Sequence, residues 1–239
     1  VISGAIGGTT RPSTVDISAI GTGRTLSINQ DISSTGNQTL TATGGITISG
    51  ARTFTSTSGT INTASALSGN NSFTISGNAD IDGAITGITT FSVSGTSNIG
   101  ADVTTSGTQT YTGAVTLSAD VNLTGSTITT NNTVAGGTND LTVTGNVVFG
   151  NSTTDTVTGV AVLDITGNTT INTDTITTSS TQTYGDATSD TITIGTATTL
   201  TTTNSQITFS GTVNSEASEA NDDTENFLLH FGKDNWESI

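Results

Sequence analysis

Residues 93–111 read VSGTSNIGADVTTSGTQTY and residues 165–184 read ITGNTTINTDTITTSSTQTY, the same line with one residue inserted. The shared Gln-Thr step occurs a third time at Gln38, so Gln38, Gln109 and Gln182 mark a long repeat of about 72 residues. A chain that repeats at a fixed interval builds its structure by stacking copies of one unit. Inside the long interval runs a shorter phrase, apolar-x-apolar-Ser/Thr-Gly. It stands at ITISG from Ile46, FTISG from Phe73, FSVSG from Phe91, VNLTG from Val121, LTVTG from Leu141, LDITG from Leu163 and ITFSG from Ile207. The later phrases step evenly, the last step being twice the one before it, which implies a unit of about 20 to 22 residues.

Each phrase alternates apolar and polar residues, the pattern of a strand with one buried and one wet face. The glycine then turns the chain at little conformational cost. One such unit cannot close a core, but short strands that pair with their equivalents in the next turn share a continuous interior. The expectation is an all-β chain, a parallel β-solenoid of roughly ten turns followed by a non-repeat C-terminal segment. At about 4.8 Å per turn the rod is on the order of 50 Å long. Residues 1–24 read as an N-terminal strand or cap, 25–215 as the solenoid body and 216–239 as an acidic, apolar cap or subunit connector.

The 31% hydrophobic content would suggest disorder in an aperiodic chain. A narrow one-dimensional core needs fewer apolar residues, and β-branched threonine suits its outer faces. The bases are Arg11, Arg24, Arg52 and Lys233, so residues 53–215 hold ten aspartates and no positive charge. Such a body repels nucleic acid and anionic membrane surfaces and keeps an exposed rod soluble. Cysteine and methionine are absent and the first residue is valine. These features suggest an exported chain whose signal has been removed, and a trimmed fragment would look the same. No apolar run reaches the length of a membrane span.

The runs TQTYTGAVTLSADVNLTGSTITT (108–130) and ITFSGTVNSEASEAND (207–222) resemble repeats of filamentous-haemagglutinin-like large exoproteins, a bacterial surface β-helix family. The resemblance covers roughly residues 25–222. It implies a right-handed parallel β-helix, exported to the bacterial surface or medium, usually within a much longer chain. No secretion-recognition domain of that family is evident, and the ending DDTENFLLHFGKDNWESI departs from the repeat style.

That ending holds seven acids, the sole histidine (His230), the sole lysine and the sole tryptophan. One role is to cap the last turn, since an open strand edge invites pairing. The other is to join subunits. Phe227, Leu228, Leu229, Phe231 and Trp236 would dock on the first turn of a second copy, where Val1 and Ile2 offer a strand. A head-to-tail contact of this kind does not close and so builds filaments.

One histidine and no cysteine leave little room for a histidine-based triad or thiol nucleophile. Asp80 and Asp82 share a strand face, as carboxylates acting on a sugar would, but no base lies near them in sequence. The composition reads them as solvated or turn-capping. Calcium sites lack the required oxygens, so neither a metal nor a cofactor is expected. Thr-x-Thr triplets at 39/41/43, 108/110/112 and 199/201/203 could order water, though uneven turn lengths are expected to spoil a regular array. Asn-x-Ser/Thr sites at Asn37, Asn70, Asn122, Asn131, Asn151 and Asn168 accept glycans only in a glycosylating host. The sequence thus points to a non-enzymatic, extracellular structural protein that assembles with itself, each long repeat rebuilding the same turns of one rod. The alternative is an adhesin segment that binds a surface glycan by one flank.

Overall fold

The structure, a computed structural model, describes residues 1–19, 21–215 and 230–231. Among these residues lie 27 strands, joined into one sheet with every ladder parallel, and no helix. The chain is a β-solenoid with three faces, A, B and C, visited in that order. Face A begins with Val15–Ala19, Gln38–Ala42 and the second half of Arg52–Thr63. Face B begins with Leu26–Ile28 and Ile46–Ile48, and face C with Ile32–Ser34 and the first half of Arg52–Thr63.

Face C is the straightest spine. Its ladder runs Ile6, Ile32, Phe54, Ile75, Val93, Tyr111, Thr130, Phe149, Ile171, Ile194 and Ser215 without a shift of register. From Ile32 to Ser215 the chain makes nine turns of about 20 residues each. The interior is a column of Ile, Leu, Val and Phe side chains with no exposed surface, including Ile32, Phe54, Ile75 and Phe149. Consecutive rings touch along face C: Phe54 meets Phe73 edge-on at 4.9 Å and Phe73 stacks on Phe91 at 5.6 Å. Contacts of this kind add to the burial term.

Turn length varies mostly at the corners and leaves the face C ladder aligned, while the pairings of Val103–Thr105 with Ile85–Ile88 and of Thr156–Val160 with Thr175–Thr178 each shift register. At the edge between faces B and C glycines stack so closely that a Cβ has no room: Gly125 approaches Gly107 O, and Gly145 approaches Gly125 O in turn. Strands such as Val121–Thr130 and Leu141–Phe149 round this edge without breaking. Elsewhere the chain makes excursions. Gly150 to Asp155 and Gly185 to Asp190 form two versions of one loop, in which the Asp155 carboxylate accepts the Asn151 and Ser152 N–H groups and Asp190 accepts those of Asp186 and Ala187.

Many corner acids have a structural task of the same kind. Asp102, Asp120 and Asp140 each accept, through Oδ1, a backbone N–H one turn further on, from Asn122, Asp140 and Val162 at 2.8 to 2.9 Å. Asn37, Asn146 and Asn168 do likewise for Thr60, Asn168 and Thr191. A corner interrupts the backbone ladder, and these side chains take up the donors it would leave unpaired.

Candidate functional site

The long repeat is out of step with the solenoid. Between the Gln38 strand and the Gln109 strand the chain makes nine further strands, the last being that of Gln109, and two of the nine serve two faces, giving eleven face segments. The interval from Gln109 to Gln182 is the same: nine strands, two of them double, eleven segments. Three segments make a turn, so eleven make three turns and two faces over. Gln38 therefore lies on face A, Gln109 on face C and Gln182 on face B. The expectation that each copy rebuilds the same turns is corrected: each copy is rotated by one face relative to the last. The two long phrase steps, from Ile46 to Phe73 and from Phe91 to Val121, have the same origin, since both change face.

What recurs in all three copies is an interior device. The glutamine side chain is buried and its Nε2 donates to the backbone of two other strands. For Gln38 the acceptors are Thr55 O at 2.6 Å and Ile32 O at 3.5 Å. For Gln109 they are Thr124 O at 2.8 Å and Val103 O at 2.9 Å, and for Gln182 Thr201 O at 2.8 Å and Ile176 O at 3.3 Å. A hydroxyl four residues earlier, on Ser34, Thr105 or Thr178, closes the corner by donating to Gly36 O, Gly107 O or Ser180 O. Two residues after the glutamine, Tyr111 and Tyr184 donate their hydroxyls to Gln109 and Gln182 Oε1, each at 2.9 Å. In the first copy Leu40 takes the tyrosine's place and Gln38 Oε1 has no partner. The alternation already held this clue, because a glutamine two residues before an inward tyrosine must itself point inward.

Tyr111 and Tyr184 are the chain's two tyrosines, and burial pushes both hydroxyl pKa values up. A group whose folded pKa lies above its unfolded value contributes fully below the unfolded pKa, about 10 for tyrosine, and loses that contribution as pH rises past it. Stability is thus expected to hold to about pH 10 and then fall by about 1.4 kcal/mol per pH unit for each tyrosine. In an alkaline titration, phenolate absorbance should appear together with loss of the β-sheet circular dichroism signal. Phenolate forming while the sheet signal persists would contradict the burial of both rings.

The remaining candidate residues fall as follows. Asn62 Nδ2 donates to Asp80 and Asp82 at 2.7 and 2.8 Å, and Asn98 Nδ2 donates to Asp80 at 2.8 Å, so the two aspartates belong to a polar ladder across three turns of face A. Among the described residues the ion pair found is Arg52 with Asp31, at 3.8 Å, and no group of three or more acidic, histidine or cysteine side chains is placed to hold a metal. The Thr-x-Thr triplets fall on faces A, C and A, several turns apart, so they do not stack on one another. Uneven turn lengths nevertheless leave one file of hydroxyls in strict register on the outside of face C. It runs Thr53, Thr74, Ser92, Thr110 and Thr129, then Val148, Thr170 and Thr193. Val148 interrupts this file, and its register holds because the irregular pairings fall on faces A and B.

At the first turn Val1 is 83% exposed, while Ile2 is bonded through its N–H to Ser27 O and through its carbonyl to Asn29 N. At the other end His230–Phe231 pairs with Thr199 and Leu200, so its backbone continues face A of its own rod. Phe227, Leu228, Leu229 and Trp236 lie outside the described residues. Compared with protein-family models, curated proteins and solved structures, the chain matches none.

Proposed function

We propose that the protein is an extracellular structural subunit, a stiff rod that assembles head to tail with copies of itself into a cell-surface filament. The observation that carries this reading is the rotation of the long repeat. A binding flank built by duplication keeps its repeated residues on one face, whereas here each copy turns the motif onto a different face. The constant element lies inside, where Gln38, Gln109 and Gln182 tie neighbouring strands together. Repetition of this kind adds length and stiffness, which serve a filament rather than an adhesive patch. The acidic body supports the reading by discouraging side-by-side clumping of long rods.

The test is negative-stain electron microscopy of the full chain beside a full-chain variant in which Phe227, Leu228, Leu229, Phe231 and Trp236 are replaced by serine. Filaments one rod wide are expected from the native chain, shortened or lost in the variant. Dispersed single rods at every concentration would overturn self-assembly and favour glycan binding by a flank.

A further inference from the structure

We infer that the joint between subunits is made by face C, with Ala5 of one copy stacked on Asn214 of the next in the same register as the body. The inference rests on the filament reading and specifies its contact.

Three observations carry it. The first is register. Ile6 and Ser215 belong to one unbroken file of face C, so a further turn laid on Thr212–Ser215 in that register places Ile6 over Ser215 and Ala5 over Asn214. The second is hydrogen-bond parity. In a parallel ladder alternate residues bond to opposite neighbours. Ile6 donates to Asp31 O and accepts from Ser33 N, which leaves the N–H and carbonyl of Ala5 directed away from the rod. Thr212 donates back to Asp190 O, which directs those of Val213 away at the other end. Donors and acceptors of the two edges then interleave when the copies point the same way. The half-buried Ile6 at one end, and Ile194, Phe209 and Val213 at the other, would gain the cover that Ile32 and Ile75 have inside the rod.

The third observation is charge. Residues 1–52 carry Arg11, Arg24 and Arg52 against Asp16 and Asp31, a net charge of +1, and both Arg11 and Arg24 are exposed. Residues 53–215 carry ten aspartates and no base, and 216–239 carry seven acids against Lys233. The basic end of one rod therefore meets the acidic end of another, while two like ends repel. This selects a second copy, in head-to-tail order, as the occupant of the edge.

The chain contains no cysteine, so a single introduced pair reports the joint without background. Adjacent rungs are about 4.8 Å apart, within disulfide range. The full-length double variant Ala5→Cys/Asn214→Cys, oxidised mildly, is expected to give a ladder of disulfide-linked multimers. An equimolar mixture of the two single variants should give dimers with one of each. The offset pair Ala5→Cys/Thr208→Cys, whose second site is on face B, should give none. Filaments visible by microscopy without the Ala5–Asn214 bond would overturn this joint while leaving the filament reading in place. Symmetric Ala5→Cys dimers as the main product would overturn head-to-tail order. Absence of filaments from the native chain would remove the underlying reading itself.

Discussion

Replacing Gln182 with alanine is expected to lower stability by about 3–5 kcal/mol, among the largest effects of any single side chain in the rod. The side chain is fully buried and its loss removes hydrogen bonds to Thr201 O, Ile176 O and the Tyr184 hydroxyl; the two carbonyls keep their ladder partners, and the hydroxyl is left with none. Each buried group left without a partner costs about 1–3 kcal/mol, and the vacated volume adds to the sum. The protein supplies its own control. Gln38→Ala removes the corresponding bonds to carbonyls but leaves no tyrosine unpaired, because Leu40 stands where Tyr184 does and Gln38 Oε1 already has no partner. Its cost should be smaller by about 1 kcal/mol or more. Since a solenoid couples each turn mainly to its neighbours, the loss should appear first as faster amide exchange in the turns around the substituted glutamine. Equal effects at Gln38 and Gln182 would show that the tyrosine–glutamine bond contributes nothing measurable.

The second large effect belongs to backbone packing. Gly145 has φ of 128°, a conformation L side chains rarely adopt, and a Cβ there would overlap Gly125 O of the turn below. Gly145→Ala should therefore destabilise by more than about 2 kcal/mol, and Gly145→Val should prevent that edge from forming. Gly4 is the contrasting site. A Cβ there meets nothing within 4 Å, so Gly4→Ala should stay within about 0.5 kcal/mol of the native chain. Thermal and urea unfolding of the three variants decide the matter. An undisturbed Gly145→Ala would mean that the glycine stack is not what sets the sharp edge.

Much of this architecture is legible before any coordinates. Phrases such as LTVTG and LDITG alternate strictly, and alternation fixes which side chains enter the core; the structure buries Leu141, Val143, Leu163 and Ile165 accordingly. The rotation of the repeat is not legible in the same way. A spacing of about 72 residues fits loosely with whole turns of about 20 to 22. Only the pairing of Gln109 with Phe91 and of Gln182 with Leu163 reveals the change of face. Corner excursions such as Gly150 to Asp155 blur the arithmetic, because loop length is free to vary where ladders do not constrain it. The role of the glutamine was hidden by its chemistry. A polar residue in a polar-rich strand looks outward until its spacing from Tyr111 or Tyr184 is taken into account. The aspartates are half legible: composition allows solvated charge or turn-capping, and Asp102, Asp120 and Asp140 take the second role by binding backbone donors of the following turn.

The most direct test of the proposed role is the axial repeat of the filament, measured by cryo-electron microscopy of the native chain. Face C contributes eleven rungs per subunit, from Ile6 to Ser215. With the next copy in register, eleven rungs at about 4.8 Å give a rise on the order of 53 Å, over a continuous reflection at the strand spacing. That rise, with Ala5 density following Asn214, is the predicted result. A rise well below this value, from rods that overlap side by side, or a population of single rods with no axial repeat, would contradict head-to-tail assembly.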